Sequence, residues 1–200
     1  MIYEALQILK EQLENYFVNI DFGTGNFVAL ENIALLETSH DNADNLKGKV
    51  VLTLLNLEEE ATLKNLPHYR IVDGSTKYRN PAVHINIYLL ISANCDTYAK
   101  SLRSISKVIQ FFQGKNVFTS ANTVYNRDEN VAFDDLESFK FILELYTPSF
   151  EELNYVWGTL GGRQLPSVIY KIQLVSIDQG KTISESEVIH QLKGELGNKN

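Results

Sequence analysis

Tyr155-Val-Trp-Gly-Thr-Leu-Gly-Gly-Arg-Gln-Leu-Pro-Ser167 sets the only tryptophan of the chain beside three glycines and a proline, and leads straight into an alternating strand. Gly158, Gly161 and Gly162 admit backbone conformations closed to residues with a Cβ, and Pro166 withholds an N–H where a strand over Ser167 to Ile177 begins. The stretch reads as a shaped connector, a tight packed corner and not a catalytic loop. Upstream of it lie a helix ending Val-Ile-Gln-Phe-Phe-Gln-Gly114, a strand from Phe139 to Tyr146, and Thr-Pro-Ser-Phe-Glu-Glu-Leu.

Further out, Ile2, Ala5, Leu6, Leu9, Leu13, Tyr16 and Phe17 keep the spacing of one helical face, with Glu4, Gln7, Lys10, Glu11 and Glu14 on the other, which predicts an amphipathic N-terminal helix. Lys49 to Glu58 is apolar on both parities, as in a central strand covered on both faces. After Pro81, Val83, Ile85, Ile87, Leu89 and Ile91 alternate with Ala82, His84, Asn86, Tyr88, Leu90 and Ser92, giving a clear core face. Asp96 is placed to cap a second helix whose face Tyr98, Leu102, Ile105, Ile109 and Phe112 packs on the sheet until Gly114 ends it. Phe139 to Tyr146 and Val168 to Leu174 read as half-buried strands. Helix, strands, helix, strands without a repeated βαβ unit predicts an α+β fold: a mostly antiparallel sheet of about four to six strands, with two main helices segregated to one side.

The predicted organisation is one α+β domain over residues 1–178 and a polar C-terminal tail over 179–200, disordered alone or ordered by a partner, with a short apolar pattern at Ile183, Val188, Ile189 and Leu192. Leu66 to Asn80 is a long connection with four cationic residues if His68 counts. It reads as a flexible hairpin or binding loop, with Tyr69 and Arg70 as candidate interface residues.

The balance of 18 Lys and Arg against 25 Asp and Glu gives −7, which argues against a nucleic-acid or anionic-membrane partner. No apolar run approaches the ~20 residues of a membrane span, so no membrane insertion is expected. One cysteine, Cys95, excludes an internal disulfide framework, and the Met-Ile-Tyr-Glu start has no signal-peptide pattern, so synthesis and assembly in the cytoplasm are expected. His40, His68, His84 and His190 are scattered, so no metal site and no cofactor are expected. Gly23-Thr24-Gly25 lacks a following Gly-Lys-Ser or Gly-Lys-Thr, and the Gly158 to Arg163 cluster leads into a strand, so neither cradles phosphate. Cys95 reads as a small buried thiol. Asp134 with Asp135, and the run Glu58 to Glu60, read as solvated loop charges. Trp157, Tyr155, Phe111 and Phe112 could stack on a base or sugar, but on an acidic chain they suit a core or a protein interface better.

Residues 78 to 178, about half the chain, resemble the cap or tail-terminator family of extracellular contractile injection systems, the phage-tail-like particles typified by the antifeeding prophage and the Photorhabdus virulence cassettes. The resemblance is carried by Asn80-Pro-Ala-Val-His-Ile-Asn-Ile-Tyr-Leu-Leu-Ile-Ser-Ala93, Leu102-Arg-Ser-Ile-Ser-Lys-Val-Ile-Gln-Phe-Phe-Gln113, Leu143-Glu-Leu145, Leu153-Asn-Tyr-Val-Trp-Gly-Thr-Leu-Gly-Gly162 and Pro166-Ser-Val-Ile-Tyr-Lys-Ile172. It implies a phage tail-terminator-like fold and a non-enzymatic subunit. That subunit forms a homo-oligomeric, six-fold ring on the distal end of the inner tube and sheath of a released or cell-attached particle, and ends their polymerisation. Tyr155, Trp157 and Arg163 are its candidate interface residues. A sheet edge that accepts a strand from a sheath subunit would block further addition, and a closed ring offers no equivalent surface above itself. The alternatives are a scaffold or adaptor binding another oligomer through the same edge, which gene neighbourhood would separate, and a small-molecule enzyme using His84 or Cys95.

Overall fold

The computed structural model describes residues 2–22, 25–37, 44–60, 69–72, 75–78, 80, 82–124, 139–177 and 184–187. In chain order the elements are α1 (Ile2–Asn19), β1 (Val28–Leu30), two 3-10 turns (Ile33–Glu37 and Asp44–Leu46), β2 (Lys49–Glu59), β3 (Tyr69–Val72), β4 (Ser75–Tyr78), β5 (Val83–Asn94), α2 (Tyr98–Gly114), β6 (Val117–Thr119), β7 (Lys140–Tyr146), α3 (Phe150–Thr159), β8 (Ser167–Ile177) and β9 (Ser184–Glu187). One sheet of six strands runs β1-β2-β5-β8-β7-β6, antiparallel except for β1 beside β2, and a second of three runs β3-β4-β9. The α+β, mostly antiparallel reading of the sequence is the observed class.

Strand alternation sends the two parities of β2, β5 and β8 to opposite faces. On one face Val50, Leu52, Leu89, Ile91, Tyr170 and Ile172 meet α1 through Leu6, Leu9, Leu13 and Phe17, and α2 through Ile105, Val108 and Phe112. On the other, Val51, Leu90 and Ile169 meet Trp157 of α3 and Ile33 and Leu46 of the 3-10 turns. The two expected helices, α1 and α2, therefore share one face of the sheet. A third helix, which sequence reading took for connector, closes the second face. Each fully buried large apolar side chain is worth about 1.5–3 kcal/mol, so both layers contribute to stability.

Three boundaries differ from the sequence reading. Thr97, not Asp96, is the N-cap of α2: its hydroxyl accepts the Lys100 N–H at 3.2 Å, while Asp96 pairs with Lys100 at 3.9 Å. β2 stands second from the edge, and it is covered on both faces only over Val50 to Thr53; past the irregularity at Leu54 and Asn56 its side chains emerge into solvent. Glu58 and Glu59 belong to this outer part of β2 and not to a loop.

β5 is buried on both faces through its middle, with Val83 exposed, so its core face is not single. Thr53 shows how a hydroxyl is tolerated there: it donates to the Glu31 carbonyl at 2.7 Å and accepts the Ile33 N–H at 3.1 Å. Both bonds satisfy groups that would otherwise be buried unpaired.

The second sheet repeats the strand order of the first. β3 follows β2 in the chain, β4 precedes β5, and β9 follows β8, so β3-β4-β9 extends the order β2-β5-β8. The connection from Leu66 to Asn80 thus contains a hairpin with Tyr69 opposite Tyr78, and Ser184–Glu187 of the tail adds antiparallel to β4. The remaining residues of the tail, including Ile183, Val188, Ile189 and Leu192, lie outside the described residues, as do His40, His68, His190, Asp134 and Asp135.

Candidate partner interface

Helix α3 is held at its start by a capping box. The Ser149 hydroxyl accepts the Glu152 N–H at 3.2 Å, and the Glu152 carboxylate accepts the Ser149 N–H at 2.7 Å. That second bond, aided by the Ser149 hydroxyl and the Tyr146 O–H, holds the Glu152 carboxyl below its ordinary pKa. At the other end Gly161 and Gly162 take φ of 103° and 81°, a region that only glycine enters readily, and the Gly162 N–H closes back onto the Trp157 carbonyl at 2.7 Å. Gly158 lies inside α3 with open space around it and needs no such freedom. The connector is therefore the short piece after Thr159.

Trp157 is 5% exposed and anchors α3 to the sheet. Its indole Nε1 is buried without a hydrogen-bond partner among the described residues, as are Nδ1 of His84 and Oδ1 of Asn86. Tyr155, on the outer side of the same helix, is 64% exposed and donates to Glu151 at 3.3 Å. Arg163 is exposed on the connector. Tyr69 is exposed and its ring lies 6.4 Å from that of Tyr78. Arg70 stands in β3 opposite Lys77, and its side chain lies outside what is described. The candidate residues therefore fall into two places, Tyr155 and Arg163 around α3 and Tyr69 and Arg70 on the hairpin, with Trp157 beneath the surface.

Sequence reading missed a larger apolar surface. The side of α2 that meets the sheet is Ser101, Ser104, Ile105, Val108 and Phe112, and the small serines let the helix approach closely. Tyr98, at 71% exposed, and Leu102 and Ile109 are left outside, so the expected face is only half correct. Together with Leu145 at the end of β7 and Leu165 and Val168 beyond α3, they line a groove of about 660 Å³. The signal in the sequence is that α2 carries more apolar positions than one sheet-facing stripe can bury.

A second groove of about 520 Å³ opens between β2 and α3. In its lining Tyr88 donates to Glu58 at 2.8 Å and Tyr146 donates to Glu152 at 3.3 Å, among the apolar Leu55, Leu57, Val156 and Ile169, while Lys171 stands 3.6 Å from Glu58 and 5.6 Å from the Tyr88 ring. Burial and then the Glu58 hydrogen bond push the Tyr88 hydroxyl pKa up. Desolvation would lower that of Lys171, but Tyr88 and Glu58 outweigh it and raise it. These contacts pair the polar groups with one another.

His84 and Cys95 stand at opposite ends of β5, roughly 35 Å apart at ~3.3 Å per residue, and form no nucleophile–base pair. Cys95 is half-buried, its sulfur 3.4 Å from the Ser104 hydroxyl. Among the described residues no three His, Cys, Asp or Glu side chains converge, and no helix is long and apolar enough to cross a membrane.

Residues 4–191 match the family model described as the Pvc16 N-terminal domain. Among curated proteins there is no match. Among solved structures, the sheath/tube terminator of the PVC extracellular contractile injection system in its extended state superposes with a TM-score of 0.66 at 11% identity over 100% of this chain. The tube-terminating cap of the anti-feeding prophage gives 0.61 at 12% identity over 98%. This chain spans 64% and 62% of the length of those two proteins, and the likeness is one of fold.

Proposed function

The chain belongs to the Pvc16 N-terminal domain family, and from that premise we propose that it is a structural subunit that caps the sheath and inner tube of a contractile injection particle. The carrying observation is that one family covers residues 4–191 and that the same fold serves a sheath/tube terminator and a tube-terminating cap. The molecule offers contact surface: exposed apolar residues on α2 and β7, with no cluster of three His, Cys, Asp or Glu side chains among the described residues. In this reading the subunits close into a ring, six-fold to match the layer beneath, and assembly precedes release of the particle. Tyr155, Arg163, Tyr69 and Arg70 belong to its contact surfaces, and Trp157 holds α3 in place behind them.

Electron microscopy of particles from cells with and without the gene tests this. Density for the protein at the end distal to the baseplate, with irregular or missing sheaths on deletion, is the expected result. Uniform sheaths of normal length without the gene would remove the cap function.

A further inference from the structure

Helices α2 and α3, on opposite faces of the six-stranded sheet, carry opposite charge. Helix α2 holds Lys100, Arg103 and Lys107 and no acidic residue, in a chain whose net charge is −7. Spaced three and four positions apart, these three form a ridge about 10 Å long on the side of α2 turned away from the sheet. Little inside the molecule engages it. Lys107 donates to the neutral Gln110 at 3.0 Å, Lys100 stands 3.9 Å from the exposed Asp96, and Arg103 is exposed and pairs with no described residue.

Helix α3 has two acidic residues and no basic one, and it turns Glu151, Asn154, Tyr155 and Gly158 to solvent. The Tyr155 hydroxyl donates to Glu151 at 3.3 Å, so an aromatic ring and a carboxylate stand side by side, a pair that suits a guanidinium or ammonium group. Gly158 is an independent sign of a contact. Glycine is a poor helix former, and this one neither takes a positive φ nor has a neighbouring atom within 4 Å of where a Cβ would stand. The fold does not require it; the missing side chain gives a partner access to the α3 backbone beside Tyr155.

A second copy of this chain is the occupant that the charges select. Acidic copies repel one another except where cationic surface meets acidic, and α2 supplies the complement of α3. Glu151 and Gly158 are separated by seven residues, as are Lys100 and Lys107, so the two surfaces are alike in length, about 10 Å. They differ in chemistry and lie on opposite sides of the sheet, so a contact between them runs head to tail and repeats from copy to copy.

We propose that the basic ridge of α2 in one copy packs on the outer side of α3 in the next, with Arg103 against the Tyr155 ring and the Glu151 carboxylate, and the close approach made at Gly158. That the series closes into a ring rests on the cap function proposed above. Tyr98, Leu102 and Ile109, on the flank of α2 that lines the groove with Leu145, stay outside this contact.

Arg103→Glu, Glu151→Arg and Gly158→Gln test the contact, read by sedimentation velocity of the full chain. Wild type should form assemblies larger than a dimer, because each copy makes the contact twice. Each substitution should weaken association about tenfold or more, since like charges or an added side chain then face the partner. All three positions are exposed, so circular dichroism should stay that of wild type, and Gly158→Gln should melt no lower. An equimolar mixture of the Arg103→Glu and Glu151→Arg chains should associate again, because each reversed face meets its reversed complement. A wild type that stays monomeric or stops at a dimer, or variants that associate as wild type does, overturns the contact; protein still seen at particle ends then leaves the cap function standing. Association as expected with no protein at particle ends removes the cap function and leaves the contact.

Discussion

Trp157 is the residue on which α3 depends, and its depth sets what substitution there does. It packs with Ile33, Leu46, Val51, Leu90 and Ile169, so Trp157→Ala should cost about 3–5 kcal/mol in urea unfolding. Tyr155→Ala, one turn face away and exposed, should stay within about 0.5 kcal/mol. Equal losses for the two would mean that the indole is not the anchor. Tyr170 gives a separate residue-scale test. Burial raises its hydroxyl pKa to about 12, above the ~10 of the unfolded chain. The folded state therefore keeps a proton that the unfolded state releases. The stability tied to that proton is whole below pH ~10 and is lost as pH climbs through about 12, of order 2–3 kcal/mol across the window. Tyr170→Phe should flatten that alkaline decline in thermal melts, and an unchanged decline would place its cause elsewhere.

At the scale of elements, local chemistry decides where helices start and tertiary contact decides which face they bury. Ser149→Ala removes the hydroxyl half of the α3 capping box and should cost about 1 kcal/mol. Because the folded pKa of Glu152 is depressed, the box contributes above the ordinary carboxylate range near pH 4.3 and fades as pH falls through the lower folded value. Acid titration of Ser149→Ala should therefore show a shallower low-pH loss than wild type; parallel curves would dissociate the cap from the pH response. The sequence announced most elements through local signals: the period of α1, the both-parity apolarity of β2, and the alternation of β7 and β8. It did not announce α3. Trp157 and the glycines drew the reading toward a turn, although Thr-Pro-Ser-Phe-Glu-Glu carries the serine and glutamate of a capping box. Nor could it apportion α2, because Ser101 and Ser104 are buried only by virtue of β5 and β8 lying where they do, which leaves Tyr98 and Leu102 outside. Tyr155 and Arg163 were legible as positions near the Trp157 segment; the groove at Leu145 depends on how α2, the end of β7 and residues 164–169 come together, which no local pattern states.

Across the whole molecule, the six-stranded sheet is packed on both faces, and the order β3-β4-β9 follows that of β2-β5-β8 in a smaller sheet. A three-stranded ribbon whose middle strand is four residues long gains most of its order from its own ladders, so removing residues 178–200 should leave the main unfolding transition in place while hydrogen exchange quickens over Tyr69–Tyr78. A cap held through the exposed apolar residues of α2 and β7 would have a different signature. With a net charge of −7, a contact made through opposite charges would weaken steeply with salt. Apolar contacts through Tyr98, Leu102, Ile109 and Leu145 are not screened, and sulfate strengthens apolar burial. Occupancy of particle ends should therefore survive washing at about 1 M NaCl, where the screening length is ~3 Å, and should hold or rise in ammonium sulfate. Release of the protein by sodium chloride would instead assign the attachment to charged side chains, with Arg163 the first to substitute.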